Sequence, residues 1–223
     1  MVAKFFDTMI LTGISDNHGN YDYRDEYSEV ELLIHSGDLF SDDMWQDKEK
    51  FRSIILSLQK TFPNAIIIIV PGNHDFCLET LTKQELYQMF GDRVVMLVNE
   101  LIEIGGLRIY GDPYTSLEQA FQRRGNYSDI SEIPGDLDIL VTHEAPRCFD
   151  LDFIRRRDGH SEPGCIELYN KVKEVKPRYH FFGHIHNNGN GVIGDTHYFN
   201  NSQMKGNIFT PNITLLDIKP VEP

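Results

Sequence analysis

The sequence predicts a layered α/β fold. Three observations carry this expectation. Short apolar segments of strand length alternate with segments whose apolar residues recur every three or four positions. One segment, residues 65–70, is apolar at every position, as a strand buried on both faces would be. The polar, chemistry-bearing residues gather just after the strand segments, where the strand ends of an α/β sheet open onto a crevice.

Taken in order, residues 8–14, 31–35 and 65–70 read as strands. Between them Phe51, Ile54, Ile55 and Leu58 form one face of an amphipathic helix that must end before Pro63. Thr82 and Glu85 have capping-box spacing and open a helix carrying Leu86, Met89 and Phe90 on one side. After Gly91 the period becomes two, giving strands over 94–98, 101–104 and 107–110, the last pair joined by a Gly105-Gly106 hairpin turn. A helix is expected over 116–124, a strand over 137–141 and a helix over 164–176 before Pro177. Strands return at 178–182, 191–193, 196–199 and 213–218.

Composition narrows the function classes. At 223 residues the chain has room for one domain with a core of its own, and 40% hydrophobic with 25% charged residues exclude a disordered or fibrous chain. Residues 65–71 are the longest apolar run, far short of the ~20 residues that cross a bilayer, so no membrane partner is expected. Cys77, Cys148 and Cys165 show no CxxC spacing and cannot all pair, which fits a reducing compartment; with no signal-peptide pattern, a soluble cytoplasmic protein is expected. The net charge of −13 repels a phosphate backbone and argues against a nucleic-acid coat. No oligomeric state follows from these features.

Candidate functional residues cluster at five strand ends: Asp16-Asn17-His18-Gly19, Gly37-Asp38, Gly72-Asn73-His74-Asp75, His143 and Gly183-His184-Ile185-His186. Asp16 and His18 are two apart, as are His184 and His186, so extended backbone would put each pair on one face. Imidazoles, carboxylates and one neutral amide oxygen suit Mn²⁺, Fe or Zn²⁺, whereas an all-oxygen set would suit Mg²⁺ or Ca²⁺. Any one of these residues alone would read as a turn former. Their recurrence at successive strand ends reads as one site. His35 and His180 fall inside strands and read as packed, hydrogen-bonded residues, and Trp45 as a helix anchor in the core. Arg155-Arg156-Arg157 fits a solvated loop or an anion guide, and Tyr21, Tyr23 and Tyr27 a surface loop or the rim of a nucleobase pocket. His160 and His197 receive no assignment.

The motif order DxHG, GD, GNHD, H, GHxH resembles the calcineurin-like metallophosphoesterase superfamily from residue 8 to about 202. Segments 109–113, 159–165, 178–186 and 199–202 are similar to its small MPPED-like (239FB-type) branch. The resemblance implies a metallophosphoesterase-type β-sandwich flanked by helices, a single domain over residues 1–223. It also implies a centre of two divalent metal ions, with Mn²⁺ foremost for activity. Asp16, His18 and His186 would hold the first ion, Asn73, His143 and His184 the second, with Asp38 bridging them. Two such ions bring +4 against the −2 of Asp16 and Asp38, so the site would attract phosphate within an acidic protein. Ions ~3.5–4 Å apart can share a hydroxide and clamp an in-line displacement. In the superfamily the His at position 74 is not a ligand but protonates the leaving oxygen. Asp75 would orient that imidazole or serve as a turn or capping Asp. The Asp-Arg-Gly element that follows GD in protein Ser/Thr phosphatases is missing after Asp38. The activity expected is therefore hydrolysis of small phosphodiesters, with cyclic nucleotides among the candidates. Phosphomonoesterase, DNA exonuclease and non-catalytic scaffold are the alternatives.

Overall fold

The computed structural model describes residues 8–41, 45–116, 119–123, 128–148, 153–155 and 161–220. In chain order the first elements are β1 (Met9–Ile14), β2 (Leu32–His35), α1 (Lys48–Thr61), β3 (Ile66–Ile69), α2 (Lys83–Phe90) and β4 (Val94–Met96). Next come β5 (Glu100–Ile104), β6 (Leu107–Asp112), α3 (Ser128–Glu132), β7 (Ile139–Thr142), β8 (Phe153–Arg155), β9 (Ser161–Pro163) and α4 (Ile166–Val175). The chain closes with β10 (Tyr179–Phe182), β11 (Asn187–Ile193), β12 (Thr196–Lys205), β13 (Ile208–Phe209) and β14 (Leu216–Ile218).

Local chemistry accounts for the boundaries. The Asp47 carboxylate caps α1 by accepting from the Lys50 N–H at 2.7 Å, and the helix stops at Thr61, two residues before Pro63. Thr82 and Glu85 make the expected reciprocal capping box at the start of α2. Gly105 and Gly106 both have positive φ, which lets a two-residue turn join β5 to β6 in register.

Strands β1 to β4 are parallel and form one sheet, ordered β14-β1-β2-β3-β4, with β14 antiparallel at its edge. The second sheet runs β11-β12-β10-β7-β6-β5; β12, β10, β7 and β6 are parallel, and β5 and β11 close its edges antiparallel. Alternation along each strand then dictates the layers. Leu11, Leu32, Ile34 and Ile68 of the first sheet meet Ile109, Ile139, Val141 and Phe181 of the second in an inter-sheet core. Leu33, Ile67 and Ile69 on the outer face pack with Phe51, Ile54, Ile55 and Leu58 of α1. Leu140, Phe182 and Tyr198 on the opposite outer face pack with Leu168 and Val172 of α4 and Ile130 of α3. Each such buried aliphatic side chain contributes about 1.5–3 kcal/mol. The result is the expected sandwich of two sheets flanked by helices.

Two expectations fail. Residues 119–123 are not helical: Thr115 bridges Gln122, and the Ala120, Phe121 and Arg123 N–H groups donate to Asn73 O, the Glu79 carboxylate and Thr115 O. Amides committed to distant acceptors cannot serve an i−4 ladder. Positions 117, 118 and 124 of that segment lie outside the described residues. Trp45 is not in the core but 82% exposed, its indole N–H donating to the Asp47 carboxylate ahead of α1.

Candidate metal centre

The five motifs meet where the carboxyl ends of β1, β2 and β3 face those of β7 and β10. Tight loops aim their side chains. Asp16, His18, Asp38 and His184 all have positive φ, between 46° and 68°, a left-handed conformation that costs a non-glycine residue about 1–2 kcal/mol. The Asp16/His18 and His184/His186 pairs therefore converge through turned backbone, not through the extended spacing expected. Loops packed this closely leave no room for bulk: a Cβ on Gly37 (φ +102°) would sit 2.3 Å from His143 Nδ1.

Asp75 organises these loops. Its buried carboxylate accepts from the backbone N–H groups of Gly72 (2.7 Å), Asp38 (3.0 Å), Leu39 (2.8 Å) and Phe40 (3.2 Å). These contacts are those of a turn Asp and not of an imidazole-orienting one. They lock the Asp38 loop against the Asn73 loop, while the His74 N–H donates to Asp38 Oδ1 at 2.9 Å.

Among the described residues, three groups of donor atoms lie within 4.8 Å of one another: Asp16, His18 and His186; His18, Asp38 and His74; and Asp16, Asp38 and His143. The fit to cations can be tested on the imidazoles. His18 Nδ1 faces Phe40 O at 3.1 Å and His186 Nδ1 faces Gly206 O at 2.8 Å, so each gives its N–H to a carbonyl. Their Nε2 atoms lie 3.0 Å apart, that of His186 3.6 Å from Asp16 Oδ1 and that of His18 3.8 Å from Asp38 Oδ2, so both rings turn their second nitrogen toward the carboxylates, as ligands of one cation would. His143 repeats the pattern: Nδ1 faces Ser36 O at 2.7 Å, and Nε2 faces Asn73 Oδ1 at 2.9 Å and Asp38 Oδ1 at 3.2 Å. His184 Nδ1 approaches the same Asn73 Oδ1 at 2.9 Å. The donor set fits divalent cations with borderline-soft preference.

Electrostatics points the same way. Burial pushes the Asp16 carboxyl up, but the His186 hydrogen bond and the charges of His186, His143 and His18 outweigh it and hold Asp16 well below the usual range. Burial likewise opposes ionisation of Asp38, yet His143 brings it down to about 2. Burial takes His184 down to about 4, leaving it the neutral ring a metal requires.

Behind the candidate ligands, His35 Nε2 holds Asn17 Oδ1 at 3.1 Å, and the Asn17 amide donates to Asn20 O and Tyr23 Oη at 2.8 Å each. Tyr21 donates to Leu39 O at 2.9 Å and Tyr27 stacks on Phe62. All three lie in a surface loop, as one reading expected, half-buried against the core, with Tyr21 and Tyr23 bracing the Asp38 and Asp16–His18 loops. His180 is packed as expected, 2.9 Å from the Thr142 hydroxyl. His197 is exposed on β12 beside the Tyr179 ring. Of the arginine run expected in a loop, Arg155 instead ends β8, paired with Ser161, while Arg156, Arg157 and His160 lie outside the described residues.

One buried cluster had no sequence signal. The Arg123 guanidinium pairs with Asp112 at the end of β6, with Glu144 next to His143, and with Asp129. Its partners are far apart in sequence and its own segment reads as a helix. Burial pushes the Asp112 carboxyl up to about 7 against the pull of Arg123. Arg123→Met should therefore cost about 3–5 kcal/mol by stranding buried carboxylates. Urea unfolding measures it, and a loss under about 1 kcal/mol would show the cluster to be solvated.

A helix-flanked double sheet with Asp/His clusters at its parallel strand ends defines the metallophosphoesterase class. The chain belongs to the calcineurin-like phosphoesterase family, whose profile matches residues 9–188. It is 31% identical over 208 residues to a UPF0046 protein of Caenorhabditis elegans, covering 84% of this chain and 72% of that one. It is also 31% identical over 224 residues to metallophosphoesterase domain-containing protein 1 of Homo sapiens, covering 85% of this chain. This chain spans 64% of the human protein's length. The expected MPPED-like branch is thus borne out. The crystal structure of TT1561 of Thermus thermophilus shares the fold at TM-score 0.68 and 11% identity, covering 96% of this chain and all of that one. Phosphopantetheinyl hydrolase (PptH) of Mycobacterium tuberculosis shares it at TM-score 0.53 and 15% identity, over 88% of this chain and 89% of that one. Among the described residues no helix is long and apolar enough to cross a membrane.

Proposed function

We propose that this chain is a metal-dependent phosphodiesterase acting on small phosphodiesters, cyclic nucleotides included, with Mn²⁺ as its foremost ion. The observation that carries the reading is the placement of Asp38. Its Oδ1 lies 3.2 Å from His143 Nε2, and its Oδ2 lies 3.8 Å from His18 Nε2. One carboxylate thus faces two donor groups, as a bridging ligand must. Asp16, His18 and His186 would hold one ion; Asn73, His143 and His184 would hold the other. Two such ions supply Lewis-acid activation of water and neutralise charge on the transferring phosphoryl group.

The chain's own residues do the rest. His74 has a side chain 21% exposed, with Nε2 3.8 Å from Asp38 Oδ2 and its ring edge-on to His18. It therefore reaches solvent at the mouth of the site, where a proton can pass to the leaving oxygen. Imidazoles of His18, His74 and His143 surround Asp38. Arg123 is committed to its own carboxylates. A monoanionic diester asks for less positive charge than a monoester dianion, which favours the diester. The acidic surface, net charge −13, disfavours long polyanions and a nucleic-acid partner. The three cysteines carry thiols, which fits a cytoplasmic location.

Mn²⁺-loaded protein assayed on an aryl diester and the matching aryl monoester should give a kcat/KM ratio of about tenfold or more for the diester, equivalent to about 1.4 kcal/mol in the transition state. A ratio below one makes the protein a phosphomonoesterase. Faster cleavage of long DNA than of small diesters at low salt, where repulsion is least screened, makes it an exonuclease.

A further inference from the structure

A buried amide ligand has a choice that a carboxylate does not. One end of the Asn73 side chain accepts and the other donates, and the two ends are nearly the same shape. In the structure Oδ1 lies 2.9 Å from both His143 Nε2 and His184 Nδ1. His143 gives its Nδ1–H to Ser36 O and turns Nε2 to the Asn73 oxygen, so the amide meets this ring through Oδ1. The neutral ring that binds a metal has only a lone pair at Nε2, and toward that form the amide could equally turn its NH₂. The turned amide would present nitrogen, which has no lone pair to offer an ion.

What opposes that flip is Gln119. Asn73 Nδ2 donates to Gln119 Oε1, and the Ala120 N–H donates to Asn73 O at 3.0 Å. The segment bearing Gln119 is tied down by the Phe121 N–H on Glu79 at 3.0 Å and the Arg123 N–H on Thr115 O at 2.6 Å. The Arg123 guanidinium anchors the same segment to Asp112 and Glu144, at the ends of β6 and β7. We infer that Gln119 is a positioning residue for the second metal ion: it accepts from the Asn73 amide and so holds the Asn73 oxygen toward His143 and His184. The inference rests on the reading of Asn73 as a metal ligand. Gln119 also lines a cavity of about 600 Å³ beside Glu79, Asn99 and Tyr114, so substituting it leaves the hydrophobic core intact.

The test is calorimetric titration of chelator-stripped protein with Mn²⁺ alone, with the metal-free melting temperature read in parallel. Wild type should bind two ions, and Asn73→Ala should lose affinity for one of them. Gln119→Leu should weaken that same ion by about 10–100-fold, the usual cost of losing a group that orients a ligand, and leave the other unchanged. Gln119→Glu, which can only accept, should restore the ion. Gln119→Lys, which can only donate, should weaken it at least as much as Leu. Wild-type affinities in Gln119→Leu, or failure of Gln119→Glu to rescue, would overturn the positioning role while leaving the metal centre standing. Fewer than two ions in wild type, or two wild-type affinities in Asn73→Ala, would overturn the ligand reading itself. A lower metal-free melting temperature with both ions weakened alike would make Gln119 a structural residue instead.

Discussion

His74→Ala should lower kcat by about 10² to 10⁴ while both metal ions stay bound, because the role proposed for it is to supply a proton and not a ligand. Its Nε2 is 3.8 Å from the proposed bridging carboxylate of Asp38 and its ring stands edge-on to His18, close enough to serve the same phosphoryl group. The defect should grow with the basicity of the leaving group, since a poor leaving oxygen depends more on protonation. Assays across a series of aryl diesters, with metal content measured by elemental analysis, check both parts. If the variant loses a metal, or if its defect ignores the leaving group, His74 is not the acid.

Chelation should remove all hydrolytic activity and Mn²⁺ should restore it, with two ions per chain at saturation. The stripped centre keeps Asp16, Asp38 and Asp75 buried together, and Asp38 and Asp75 repel each other there. Metal should accordingly stabilise the fold, by about 2.7 kcal/mol per site at a hundredfold excess over Kd. Since a domain of this size gains about 2–4 °C per kcal/mol, melting curves with and without Mn²⁺ read the effect directly. Asp38→Ala should blunt binding of both ions at once, whereas Asn73→Ala affects one. Activity that survives complete chelation would refute the two-ion centre.

Sequence alone determined the local elements and the residue types of the site. Period-two and period-3.6 patterns located most strands and the helices carried by Phe51–Leu58 and by Leu86, because alternation toward a core is a local property of the chain. The motifs after the strands placed all seven proposed ligands and His74 in one spot, because parallel strands of both sheets end on the same side. Tertiary structure alone decided what depends on partners distant in sequence. The segment around Gln119 and Arg123 has helix-forming residues, yet its amides and side chains are taken by Asn73, Glu79, Asp112 and Glu144, so it does not coil. For Asp75 the sequence leaves two readings, a companion of His74 or a turn Asp, and the four backbone amides from two loops that converge on it choose the second. Trp45 looked like a core anchor, yet it stands in solvent with its indole N–H on the capping residue of α1. A side chain's type and the period it falls in are written locally, whereas which donor or acceptor claims it is settled only when remote strands, loops and charges come within hydrogen-bonding distance.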